Sequence, residues 1–235
     1  MTLPKITSIP ILACSDSQNS ANCVWWAANK PAGMSVHNDP QNDLLSVVQK
    51  QLDLTSALHA VHRLDKETSG VILVAKDAAT VHQLTQALQQ PSAQKIYRAL
   101  LRGAPKTSAD SWIWSQPLTD KAEGRLNPQG KSQDRQACTT QVKKLRSTNY
   151  ITEIHAQLIT GRQHQIRKHA AINKQAILGD PRYNDAKYNN MIQERYKVAR
   201  MMLHAEILRF TWNENPFEIQ APTPKEFDLI LHPGT

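Results

Sequence analysis

Five consecutive apolar residues, Val71-Ile72-Leu73-Val74-Ala75, form the clearest hydrophobic block of the chain. The block is too short and too β-branched for a helix and predicts a buried strand. Other apolar stretches predict strands over 23–28, 95–101, 137–145, 150–160, 201–212 and 216–220, with a short one over 9–13. Within 150–160, Ile154, Ala156 and Leu158 alternate with Glu153, His155 and Gln157, so one face of that strand is wet. Helical spacing predicts helices over 44–52, 78–90 and 162–173, and a short one after Thr223. Asp77 caps the second of these and Pro91 stops it. Residues 104–136 read as a long polar connection carrying Trp112 and Trp114, a length more often functional than ornamental. Residues 179–200 are polar and basic, with three tyrosines. Strands dominate and neighbours read as hairpins. This predicts an α+β fold with a central mixed, mainly antiparallel sheet flanked by helices. Residues 1–22 read as an irregular lead-in and 23–235 as one domain, with no internal repeat or clear boundary.

The predicted strand at Val71 is preceded by His62-Arg63-Leu64-Asp65-Lys66-Glu67-Thr68-Ser69-Gly70. Asp65 therefore sits on a loop backed by a rigid strand, where reactive side chains are often held. Thr68 and Ser69 can bond nearby backbone and tighten the turn, and Gly70 lets the chain bend before the strand. Upstream, Asn29-Lys30-Pro31-Ala32-Gly33 reads as a second turn.

Charge changes the picture through its placement. The formal net charge is +8, but residues 1–60 hold 3 Lys+Arg and 4 Asp+Glu, a net of −1. Residues 121–200 hold 16 Lys+Arg and 6 Asp+Glu, a net of +10. A segment this basic attracts a polyanion, with salt-dependent affinity. The three cysteines, odd in number and without a Cys-x-x-Cys pair, argue for a reducing compartment and against a disulfide framework. No apolar run approaches the ~20 residues of a membrane span, and residues 1–10 do not read as a signal peptide.

The nine-residue string around Asp65 resembles the signature of the RluA-type pseudouridine synthases. Lys95-x-Tyr97-x-Ala99 resembles that family's Lys-x-Tyr element. Thr160-Gly161-Arg162-Gln163-His164-Gln165-Ile166-Arg167-Lys168-His169 resembles its arginine motif, and Gly179-Asp180-x-x-Tyr183 and Leu203-His204-Ala205 also fit. The Asn-Lys-Pro-x-Gly turn around Lys30 is similar too. The resemblance spans about residues 24–222, and its motifs come in the family order. It implies isomerisation of uridine within structured RNA, a ribosomal or transfer RNA stem-loop, with no cofactor and no metal. Asp65 is then the catalytic carboxylate, Tyr97 stacks on the target base, and Arg167 pairs with the aspartate and keeps it ionised. Lys30, His62, Arg63, Lys95, Arg162, His164 and Gln165 are expected to bind RNA, with Arg63 filling the space of a flipped uridine. The expected enzyme is cytoplasmic, monomeric and free of membrane contact. Only 29 residues precede Lys30, too few for the accessory RNA-binding domain of larger members.

Two other readings compete. His59, His62 and Asp65 are spaced three apart and could ligate a metal, but Arg63 and Lys66 would repel it. A non-catalytic RNA-binding protein on the same fold would not need Asp65, Tyr97 and Arg167 together.

Overall fold

The structure is a computed structural model that describes residues 6–16, 18–19, 22–105 and 107–231. Much of the lead-in (1–5, 17, 20 and 21) and the end of the C-terminal segment (232–235) lie outside the described residues. The chain divides into two compact units. The first is built from residues up to 94 together with 205–222, the second from 95–204 with the residues from 223 on. Two of the three boundaries fall inside strands, at 94/95 and 204/205, where no composition shift marks them.

In the first unit β1 (Ile11–Cys14), β2 (Trp25–Lys30), β4 (Ser69–Ala75) and β9 (Leu203–Trp212) lie in that order, β10 (Asn215–Gln220) pairs with β9, and β3 (His59–Ala60) pairs with the end of β4. The β1–β2, β2–β4, β3–β4 and β9–β10 pairs are antiparallel. All seven residues of β4 are buried, as expected for a strand covered on both faces. Trp25 packs edge-on to Phe210 and Phe217, with ring centroids 5.6 and 5.0 Å away, and joins β2 to the β9–β10 hairpin. Two helices complete the unit. α1 (Leu44–Gln51) is capped by Asp43, whose carboxylate accepts from the Ser46 amide, and α2 (Ala78–Gln89) by Asp77, which accepts from Thr80.

The second unit holds the antiparallel order β5 (Gln94–Arg102), β8 (Ile151–Leu158), β7 (Thr140–Ser147), β6 (Ser111–Trp114). Its core gathers Leu101, Trp114, Val142, Ile154, Ile166 and Phe227. It carries α3 (Gln165–Ile172), α4 (Ala186–Tyr196) and α5 (Glu226–Leu231). The α+β fold is as expected, with most element bounds within two or three residues. One expectation is corrected, since the 104–136 connection contains β6; the basic stretch 179–200, given no element from sequence, contains α4. Asp185 caps α4 by accepting from the Tyr188 amide, and Tyr188, Ile192 and Tyr196 set one face against the core. That i, i+4, i+8 spacing was the readable signal, masked by the polar residues between.

Gly70 opens β4 with φ +114, and a Cβ there would lie 2.1 Å from the Ala205 carbonyl oxygen on β9. Both the backbone conformation and the close approach demand glycine. Gly70→Ala should destabilise the protein by more than about 3 kcal/mol and impair the Asp65 loop. Urea unfolding reads this directly; a loss below about 1 kcal/mol would show that β4 and β9 can part without harm.

Candidate active site

Asp65 is half-buried on the loop that enters β4. Its carbonyl accepts from the Thr68 amide at 3.1 Å and closes the turn, and Thr68 and Ser69 are buried beneath it. Lys30, at the end of β2, is fully buried. Its ammonium donates to the carbonyls of Pro31 (3.0 Å), Met34 (2.8 Å) and Lys66 (3.1 Å). The Gly33 amide donates to the same Lys66 carbonyl at 2.8 Å. The two turns recognised in the sequence therefore form one structure, and Lys30 ties the Asp65 loop to the strand end. Expected at the RNA, Lys30 is instead an internal tether, because an ammonium on three interior carbonyls is not presented outward. His62 turns Nε2 to the Leu73 amide (3.1 Å), which fixes its ring against β4 and uses a nitrogen that a metal would need. Arg63 is exposed on the same loop.

The remaining candidates lie in the second unit. Tyr97 and Lys95 are two apart on β5 and share a face, Tyr97 partly buried against the core. Burial pushes the Lys95 pKa below the ordinary lysine value. Arg167, in α3, is 2% exposed and forks onto Asp180, which is 0% exposed. Nε meets Oδ2 at 2.8 Å and Nη2 meets Oδ1 at 2.9 Å. Asp180 Oδ1 also accepts from the Arg182 and Tyr183 amides. Asp180 was legible only as part of the Gly-Asp-x-x-Tyr string; its role as the anchor of Arg167 needed the structure. The fork engages two guanidinium nitrogens and fixes the plane of the group.

Gln165, expected at the RNA, is buried at the start of α3 and belongs to an internal chain of hydrogen bonds. Its carbonyl oxygen accepts from the Thr160 hydroxyl (2.8 Å) and the Arg162 amide (3.0 Å). Its amide donates to the Thr139 carbonyl and to Thr140 Oγ1, both at 3.0 Å. Thr140 Oγ1 lies 3.0 Å from His169 Nδ1, and His169 Nε2 lies 3.0 Å from the Gln116 carbonyl. A carbonyl can only accept, so Nε2 carries the proton and Nδ1 accepts from Thr140. Half of the signature string is thus scaffolding. Lys168 is likewise buried, with Nζ 2.7 Å from the Thr119 carbonyl. His164 begins α3 in the left-handed region (φ 57) and places Nδ1 3.0 Å from the Tyr183 hydroxyl. Arg162 has a buried Nε with no hydrogen-bond partner among the described residues.

Burial, helped by the neighbouring Lys168 charge, lowers the His169 pKa from its ordinary 6.5, and the Gln116 bond opposes this only in part. Below about pH 6.5 the unfolded chain takes up a proton that the native ring resists. Stability should therefore fall as the pH drops from about 7 to 5.5, and His169→Gln should flatten that slope. Urea midpoints across this interval check it; equal slopes for the two proteins would exclude His169 as the source.

Residues 24–172, more than half of the chain, match the family model for RNA pseudouridylate synthase. The chain belongs to this family. Ribosomal large subunit pseudouridine synthase C of Vibrio vulnificus is 31% identical over 210 residues, which make up 86% of this chain and 64% of that relative. The chain thus spans just under two thirds of that relative. tRNA pseudouridine synthase C of Salmonella typhi is 30% identical over 226 residues, 87% of this chain and 84% of the relative. Human RNA pseudouridylate synthase domain containing 1 superposes with a TM-score of 0.73 at 20% identity, covering 95% of this chain and 87% of the other. Domain containing 4 gives 0.72 at 24%, covering 89% of each, and both likenesses bear on the fold alone. The signature residues fall in both units, Asp65 in the first and Tyr97 and Arg167 in the second.

Proposed function

We propose that this chain isomerises uridine to pseudouridine within ribosomal or transfer RNA. The observation that carries the reading is the family match over residues 24–172, within which Asp65, Tyr97 and Arg167 are all present. In the reaction the bond from ribose C1′ to base N1 breaks, the base turns, and C5 bonds to C1′. C5 loses its proton and N1 gains one, so nothing is oxidised or reduced. Asp65 is the nucleophile that opens the exchange, and it must be ionised to act. Tyr97 stacks on the uracil and takes part in moving the C5 proton. Arg167, its plane set by Asp180, supplies the positive charge that keeps the aspartate ionised.

Arg63, exposed on the Asp65 loop, fills the gap left by a flipped uridine. Its flipping costs a few kcal/mol for a stacked base. Arg162, His164 and Lys95 hold phosphate and ribose; the unpartnered Arg162 Nε suits that role. Arg146 contributes less than its charge suggests, since it is ion-paired to Glu153 and Asp228.

The test is tritium release from total ribosomal and transfer RNA labelled at uracil C5. Release with stoichiometric pseudouridine formation is expected. No release from either RNA class would reject the assignment.

A further inference from the structure

A cavity of about 330 Å³ in the second unit is lined by Arg102, Arg125, Lys174, Tyr183, Asn184 and Asp185. Its three cations face one carboxylate. Arg125 donates to Asp185 at 2.8 Å across a well-exposed pair, the kind that is worth little and exchanges readily. Arg102 and Lys174 have no ion-pair partner among the described residues. Arg102 ends β5, and its amide donates to the Ala176 carbonyl at 3.0 Å, which brings the strand end to the segment that follows α3. Its guanidinium lies 4.1 Å over the Tyr188 ring. Stacking fixes the plane of the group and leaves its in-plane donors for an anion. Tyr183 forms the wall on the motif side, and its hydroxyl meets His164 Nδ1.

We infer that this cavity binds a backbone phosphate of the substrate RNA. The inference rests on the proposed action on RNA and adds a contact that none of the signature motifs contains. Two unpaired cations in one cavity repel each other and are best relieved by an anion, and the Arg102 fork suits the oxygens of a phosphodiester. Arg102 already covers one face of the Tyr188 ring, which argues against base stacking there. The contact is therefore to backbone and carries no sequence preference.

The experiment measures fluorescence anisotropy of a labelled transfer-RNA-derived stem-loop, and of one with an unrelated sequence, from about 50 to 300 mM salt. Each phosphate contact contributes about 0.7–0.9 to the slope of log affinity against log salt. R102Q and K174Q should each make that slope shallower, and the double variant should lose about one contact in all. The double variant should bind both RNAs about tenfold more weakly at ~150 mM salt. R102K with K174R should restore the slope, which separates lost charge from lost packing. An unchanged slope in the double variant, with a wild-type melting temperature, would overturn the inference. Tritium release by the wild-type protein is scored separately. Release with an unchanged slope removes the cavity contact alone, whereas absent release with a changed slope removes the activity and leaves the phosphate contact.

Discussion

Asp65→Asn should leave the protein folded and able to bind RNA while uridine isomerisation falls below detection. The substitution keeps the shape of the side chain and removes the anion on which the exchange depends. The loop has little reason to collapse. It is held by the Lys30 ammonium on three carbonyls, by the Gly33–Lys66 bond and by the buried Thr68 and Ser69. None of these uses the Asp65 carboxylate. The check is tritium release beside RNA affinity and urea unfolding on the same preparation. Release within tenfold of wild type would take the nucleophile role away from Asp65, and joint loss of folding and binding would make its role structural.

The second large effect is expected at Asp180. Arg167 and Asp180 are 2% and 0% exposed, so removing one partner leaves a buried charge without its counterpart. Asp180→Asn should cost about 3–5 kcal/mol in urea unfolding. Part of that belongs to the Arg182 and Tyr183 amides, which share Oδ1. Replacing both partners, Arg167→Met with Asp180→Leu, should be less damaging than the sum of the single changes, because neither member of this pair is left facing the other's empty place. Additive losses would mean that the two groups do not depend on each other. Catalysis should separate from stability here. Arg167→Lys keeps a cation but loses the planar fork, and should retain only part of the rate.

The reactive loop was legible because its two signals are local. A carboxylate on a turn and a β-branched run after it need no knowledge of distant packing. The same holds for the caps at Asp77 and for most strands. Lys30, Gln165 and Lys168 show what local reading cannot reach. A polar residue beside signature residues looks the same whether it faces RNA or donates into the interior. Only long-range packing brings Thr139 and Thr140 under Gln165, or the Lys66 carbonyl over Lys30. The Arg167–Asp180 fork lay out of reach for a related reason: Asp180, thirteen residues on, meets the guanidinium only after the chain turns back. Helix α4 was hidden by composition, since three apolar contacts among basic and polar residues look like a solvated stretch.

The close approach of Gly70 to Ala205 has a consequence for the order of events at the ribosome. The strand that backs the Asp65 loop is complete by residue 75, but its β9 neighbour is made some 130 residues later. The signature loop therefore emerges before its support and waits, unsupported on that side, until β9 has been synthesised. A contact this distant in sequence is slow to form, because the intervening loop must close first. Chains stalled before residue 205 should carry an intact signature, remain protease-sensitive around Asp65 and show no activity. Competence would arrive late and abruptly, with the β9–β10 hairpin.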